Sequence, residues 1–264
     1  MSFYRTLYHI KEALVVSFCP SCKKLTRYSG TLCPDCLEKY TEELAAECRF
    51  CHLPAHLCVC STRDLYYCRS LGLSMRSMIF YEPENTVFSA LLKSFKYDAD
   101  RGAEKFFARE LSRELLLLFA KRREMPTDWA VTFPPRRRSA VKRYGFDQSC
   151  GLAKRIAKYT GASFEEVLVH RGNAAQKTLD ASSRAENAMR SFELKKNART
   201  AGKKYVIVDD VVTSGATMKT CQTLLLSSGA KEAFVLSVSK TPRRGAGFDT
   251  GLSLRRPRQK PWFK

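Results

Sequence analysis

Apolar residues along this chain change rhythm several times, and each change marks an element. Residues 1–18 repeat Phe3, Leu7, Ile10 and Leu14 at helical spacing, which predicts a short amphipathic N-terminal helix. Residues 19–68 lose that periodicity and are rich in cysteine. Regular patterns return from residue 71. A strand is predicted at 74–83 and a helix at 86–97 through Val87, Leu91, Leu92 and Phe95. A long amphipathic helix follows at 104–121 through Phe107, Leu111, Leu115 and Leu118. The run 129–133 reads as a short strand closed by Pro134 and Pro135, and 147–159 as a helix with Gly161 near its C-terminal end. The run 164–170 is strand-like, and 171–200 is polar and irregular. Residues 204–210, KYVIVDD, stay almost wholly apolar up to a closing pair of acids, the pattern of a central parallel strand buried on both faces. A helix over Thr217–Ser228, followed by Gly229, and a strand at 233–239 complete the series.

Buried-type strands alternating with helices predict an α/β fold with a mostly parallel sheet over 71–240. Residues 19–68 are expected to form a separate small domain, since so short a stretch seldom folds without a staple. Residues 241–264 carry seven basic residues against one acid, Asp249, and read as a flexible basic tail.

Charge sharpens the picture. Forty-six Lys and Arg face 26 Asp and Glu, a formal net charge of +20. Such an excess draws polyanions: nucleic acid, anionic lipid or phosphorylated substrates. No run approaches the roughly 18 apolar residues of a membrane span. Residues 1–18 carry Arg5, Lys11 and Glu12 and lack an apolar core ahead of a small-residue cleavage site. A cytoplasmic location is expected, where paired cysteines bind metal more often than they form disulfides.

Eight of the eleven cysteines fall between Cys19 and Cys60. The spacing Cys19-x2-Cys22-x10-Cys33-x2-Cys36 is that of a tetrahedral zinc site built from two knuckles. A second group, Cys48-x2-Cys51-x6-Cys58-x1-Cys60, has one ideal pair and one pair a residue short. His52 or His56 can replace a thiolate there, and Cys68 is spare. One or two structural Zn²⁺ ions are expected, because four protein ligands leave no open position for substrate. Cys150 and Cys221 fall on helix faces and read as packing residues.

The acids Asp209 and Asp210 close a predicted central strand, and Thr213-Ser214-Gly215-Ala216-Thr217 opens the next helix. Ligands of open α/β sheets bind outside the carboxyl ends of the strands. The helix start offers N–H groups and its dipole to an anion. Gly215 permits close backbone approach, and Thr213, Ser214 and Thr217 add hydroxyls. A phosphate nest beside two carboxylates suits a ribose 5-phosphate, its phosphate in the loop and its 2′ and 3′ hydroxyls donating to the acids. The stretch is not a P-loop, since the closing Gly-Lys-Ser/Thr is absent. The run 133–148 adds Arg136, Arg137, Arg138, Lys142 and Arg143 after a predicted strand, enough to neutralise a multiply charged group.

VIVDDVVTSGAT (206–217) resembles the phosphoribosyl pyrophosphate (PRPP) motif of type I phosphoribosyltransferases. That resemblance implies PRPP binding by Asp209, Asp210, Thr213, Ser214, Gly215, Ala216 and Thr217, with Mg²⁺ carried on the pyrophosphate. It implies anion contacts from Arg136, Arg138, Arg143 and, in a mobile loop at 171–192 that closes over the centre, Arg184. Three further stretches, 91–97 (LLKSFKY), 144–161 and 176–194, are similar to the ComF family, whose members start with a double zinc ribbon. Gln176, Leu179, Arg184, Asn187 and Phe192 match one family pattern, while Tyr144 and Asp147 stand where the family has Arg and Asn. The resemblance covers about residues 15–240.

Two functions are therefore expected to compete. The ComF resemblance implies a PRPP-binding protein that handles single-stranded DNA during uptake and transformation, with a helicase-like partner. Tyr66, Tyr67, Phe80, Tyr81, Tyr97, Tyr144 and Phe146 lie near basic residues and are candidates for base stacking. The alternative is a metabolic, amidophosphoribosyltransferase-like enzyme transferring phosphoribosyl to an acceptor. No base-recognition signature is present, so neither an acceptor nor a catalytic residue is named.

Overall fold

Among the described residues, regular structure begins at a cysteine knuckle. The computed structural model describes residues 17–45, 66–68, 73–80, 86–137, 139, 141–142, 145–171 and 191–240. A two-strand hairpin, β1 (Ser17–Phe18) and β2 (Leu25–Thr26), precedes α1 (Pro34–Ala45). Strands β3 (Tyr66–Cys68) and β4 (Leu73–Phe80) follow, then α2 (Val87–Tyr97) and α3 (Arg101–Arg122). Next come β5 (Trp129–Thr132), α4 (Gln148–Thr160), β6 (Ser163–Phe164) and the hairpin strands β7 (Leu168–His170) and β8 (Phe192–Leu194). The chain then forms β9 (Lys204–Val212), α5 (Ala216–Ser227) and β10 (Glu232–Lys240).

The main sheet has the order β3-β4-β10-β9-β5-β6. Its five strands from β4 to β6 are all parallel, and β3 joins β4 antiparallel. This is the expected α/β fold with a mostly parallel sheet. β9 lies between β10 and β5, which explains its apolar run: Tyr205, Val206, Ile207 and Val208 are fully buried. Val206 and Val208 pack with Val131, Phe234 and Leu236 into a core shared with α2, α3 and α4. Tyr205 and Ile207 join Met75, Val235, Cys221 and Leu225 on the α5 side.

Local signals set the helix ends. Thr86 and Ser89 form a reciprocal capping box at the start of α2. Asp100 accepts from Gly102 and Ala103 N–H at the start of α3. Gly161, in the left-handed region at φ 82°, ends α4. Opposite the carboxyl ends of the strands, Trp129 stacks on Phe119 at 5.3 Å and meets Phe234 edge-on at 5.1 Å. Arg122 forks onto Glu232 there, and Lys204 pairs with Glu124 at 2.6 Å. These contacts tie together the first residues of β5, β9 and β10.

The cysteine module is docked on the helices. Cys19, Leu32, Cys33, Cys36 and Tyr40 are buried in the same core as α2 and α3, and Tyr40 meets Phe106 edge-on at 5.3 Å. Glu43 accepts from the N–H groups of Val87 and Phe88 at 2.7 and 3.1 Å, so an α1 carboxylate sits at the positive end of α2. Lys23 reaches the opposite end of α2, donating to Ser94 Oγ at 2.9 Å and pairing with Asp100.

Several sequence expectations need correction. Ser17 and Phe18, placed at the end of the N-terminal helix, are strand β1, because they pair with Thr26 and Leu25 across the knuckle. The run 164–170 is broken at 165–167 into β6, on the main sheet, and β7, which pairs instead with β8. That partner lies inside 171–200, where an irregular stretch is expected. The rest of the N-terminal helix, the second cysteine group and the basic tail lie outside the described residues. No helix among the described residues is long and apolar enough to cross a membrane.

Candidate functional site

Sheet topology opens one crevice. From β5 the chain passes through α4 to β6 on one flank, and from β9 it passes through α5 to β10 on the other. The loops after β5 and β9 therefore diverge above adjacent strands, a topological switch point where open α/β sheets bind ligands. Asp209 and Asp210 stand at the carboxyl end of β9, on that crevice.

Each acid has its own partners. Asp209 Oδ1 accepts from the Ser149 hydroxyl at 2.8 Å and from the Asp210 N–H at 2.9 Å. Asp210 Oδ1 accepts from the Val211 N–H at 2.6 Å, and its Oδ2 lies 3.4 Å from Arg136 Nη2 and 3.9 Å from Lys96 Nζ. Burial, then the charge of Asp210, push the Asp209 carboxyl up to about 7, against the Ser149 hydroxyl, the Asp210 N–H and the Arg136 charge. Asp209 is thus only partly ionised near neutrality.

The head of α4 holds this arrangement. Asp147 caps the helix, with one oxygen accepting from Cys150 N–H at 3.2 Å and the other from Arg136 N–H at 3.0 Å. Gln148 Nε2 donates to the Lys96 carbonyl at 2.8 Å. Gln148 Oε1 and Thr132 Oγ1 are buried without a hydrogen-bond partner among the described residues.

Beside the acids, Thr213 and Ser214 are exposed, and Gly215 takes φ 73° as the residue before α5. No side chain of the cap residue closes that helix end, and no acid occupies its first turn. The Ser214 hydroxyl accepts from the Ala216 N–H at 3.4 Å. An open helix start with adjoining hydroxyls can cradle a phosphate.

Of the residues expected from sequence, Asp209, Asp210 and Thr213–Thr217 are contiguous at this crevice, and Arg136 is brought to Asp210 across 74 residues. Arg137 makes no ion pair with either acid; burial, and then the Arg137 charge, hold His170 below its usual value. Arg138, Arg143 and Arg184 lie outside the described residues. Sequence reasoning missed Lys96, Gln148 and Ser149. All three sit in quoted stretches, LLKSFKY and 144–161, but nothing in a linear pattern ties them to the acids.

A second site lies in the ribbon. The sulfurs of Cys19, Cys22, Cys33 and Cys36 all lie within 4.8 Å of one another, with Cys22 and Cys33 3.5 Å apart. A tetrahedral zinc with Zn–S near 2.3 Å sets sulfurs about 3.8 Å apart, so the four fit a metal ion. The knuckle geometry is present: Lys23 takes φ 63°, and its N–H donates to the Cys19 carbonyl at 2.9 Å. Burial opposes ionisation of Cys19, yet main-chain N–H groups of Cys22, Cys33 and Ser21 bring it down to about 7. Burial holds the Cys36 thiol up to about 12. A cation held among these sulfurs would favour the Cys36 thiolate. Cys48, Cys51, Cys58 and Cys60 lie outside the described residues.

Comparison with known proteins bears on the same parts. Residues 148–245 match the family model "Phosphoribosyl transferase domain". The chain is 31% identical over 230 residues to the DNA utilization protein YhgH of Escherichia coli strain K12, covering 84% of this chain and 90% of that protein. It is 26% identical over 207 residues to the competence protein ComFC of Streptococcus pneumoniae, covering 78% and 79%. Among solved structures, the phosphoribosylpyrophosphate synthetase of Mycobacterium smegmatis is similar at 17% identity and a TM-score of 0.32, over 50% of this chain and 33% of that one.

Proposed function

We propose, from the premise that the chain belongs to the ComF family, that it binds PRPP at the end of β9 and single-stranded DNA on its basic surface, in the cytoplasm. One observation carries the first half: an acid pair runs directly into an open helix start at the switch point of the sheet. In this reading the 5-phosphate lies against Thr213, Ser214, Gly215, Ala216 and Thr217. The 2′ and 3′ hydroxyls donate to Asp209 and Asp210. Arg136 draws the pyrophosphate, with Arg138, Arg143 and Arg184 assigned to the same task. Mg²⁺ arriving on the pyrophosphate neutralises part of its charge and needs few protein ligands.

The DNA half is supported by the names of the relatives, a DNA utilization protein and a competence protein, and by the net charge of +20. Lys and Arg neutralising phosphates give sequence-independent, salt-sensitive binding. A ribbon over 19–68 holding zinc at Cys19, Cys22, Cys33 and Cys36, a phosphoribosyltransferase-like body over 71–240, a basic tail and a helicase-like partner belong to the same proposal.

The match to a phosphoribosyl transferase domain favours a second reading, an amidophosphoribosyltransferase-like transfer to an acceptor. Calorimetric titration of PRPP with Mg²⁺, with and without a short single-stranded oligonucleotide, separates the two. PRPP binding whose affinity shifts with the oligonucleotide is expected. Binding indifferent to it favours the enzyme, and release of pyrophosphate with an acceptor would establish it. Asp209→Ala with Asp210→Ala should abolish PRPP binding while leaving fold and metal content unchanged; retained affinity would sink the assignment. Oligonucleotide affinity should fall steeply with salt, and a flat response would refute the electrostatic mode.

A further inference from the structure

Two cations from different elements converge on one oxygen of Asp210. Arg136 comes from the loop after β5 and Lys96 from the last turn of α2, at 3.4 and 3.9 Å. Both side chains are 28% exposed, while the Asp210 side chain is 11% exposed. Their main chains are fixed by consecutive residues: Asp147 accepts from the Arg136 N–H, and Gln148 donates to the Lys96 carbonyl. The first turn of α4 therefore sets both cations at once. One carboxylate oxygen thus serves two cations, and neither has a carboxylate to itself before an anion enters.

Sugar geometry says what those cations can meet. The carbon bearing the pyrophosphate is bonded to the carbon bearing the 2′ hydroxyl. A cation beside the carboxylate that receives the 2′ hydroxyl thus stands on the pyrophosphate side of the ring, one hydrogen bond and a few covalent bonds away, within the swing of a lysine or arginine side chain. Taking Asp209–Thr217 as the PRPP site, we infer that Lys96 is a pyrophosphate-binding residue. Lys96 and Arg136 hold Asp210 in the free protein. When ribose hydroxyls occupy the carboxylate, the two cations turn to the pyrophosphate. The site keeps its charges paired while empty and exchanges a protein partner for a ligand partner on binding.

Ribose 5-phosphate supplies the control, since it has the same ring and 5-phosphate without the pyrophosphate. Calorimetry compares it with PRPP–Mg²⁺ on the full chain, on Lys96→Met and on Lys96→Arg, with melting curves confirming that each variant folds. Lys96→Met should weaken PRPP by about tenfold or more and leave ribose 5-phosphate within about twofold. Lys96→Arg should recover most of the PRPP affinity. Unchanged PRPP affinity in Lys96→Met overturns the inference. So does an equal loss for both ligands, which would make Lys96 only a holder of Asp210. If the unaltered protein binds neither ligand, the PRPP reading of the acid pair itself falls, a result distinct from either of these.

Discussion

Ser149 donates its hydroxyl to Asp209 across 2.8 Å, joining residues 60 positions apart in the chain. The bond favours the ionised form of a carboxyl that burial and Asp210 push towards neutrality. A ribose hydroxyl donates best to the ionised form. Ser149→Ala should therefore weaken PRPP binding by about tenfold near pH 7. Much of that loss should disappear near pH 9, where Asp209 ionises without help. Calorimetry at both values decides it; an equal loss at both would mean that the hydroxyl acts by touching the ligand.

Folding stability should respond to the same carboxyl. Its value rises from the ordinary 3.8 to about 7 on folding, so the folded state holds the proton more tightly. Below about pH 4 both states are protonated and no penalty arises. Between there and about pH 7 the unfolded chain ionises first, and stability falls as pH rises. Asp209→Asn cannot ionise. It should gain on the unaltered protein through that window and match its trend below it, as melting curves from about pH 4 to about pH 8 will show.

Gly215 occupies the left-handed region at φ 73°. An alanine there costs about 1 kcal/mol or more in backbone strain and sets a methyl beside the open helix start. Gly215→Ala should lower the melting temperature by a few degrees and abolish PRPP binding. Gly202→Ala is the matched control: φ is 75°, and nothing lies within 4 Å of the added carbon. It should show similar strain with PRPP affinity intact.

Three of the four ribbon cysteines, Cys19, Cys33 and Cys36, are buried in the main core, so metal loss should be felt beyond the ribbon. Cys33→Ser should lose bound zinc and lower the melting temperature by more than about 5 °C. Titrating the unaltered protein with a thiol-blocking mercurial should release zinc in step with thiol loss, read with a metal-sensitive dye. A variant that keeps its melting temperature would show that packing alone holds the ribbon.

Contiguous chemistry was the most legible part of this molecule. Asp209 to Thr217 lie in one strand-loop-helix passage, so residue types and order were enough to read the acid pair and the anion cradle. Cys19 to Cys36 were legible for the same reason. Strands β5, β9 and β10 announced themselves by apolar runs, because burial on both faces leaves few polar positions. β8 was not legible, since three residues make too short a pattern and its partner β7 is distant in the sequence. Lys96, Gln148 and Ser149 were illegible as site residues. Lys96 and Ser149 reach the acids, and Gln148 holds Lys96, only because α2 ends and α4 begins beside the carboxyl end of β9, and tertiary placement, not periodicity, decides that.

Strand order also dictates a timetable. β4 is among the first parts of the sheet to be synthesised, yet its parallel neighbour is β10, the last described strand. The buried hydroxyls of Ser77 and Ser237 meet 160 residues apart. As the chain emerges from a ribosome, β4 has to wait for β10 to arrive before it can pair there. β9 is by then already available to β5. The acid pair can thus stand beside Arg136 while the β4 position of the sheet is still unpaired. A chain cut short after α5 would keep every described residue of the crevice and lose the strand that joins it to β4.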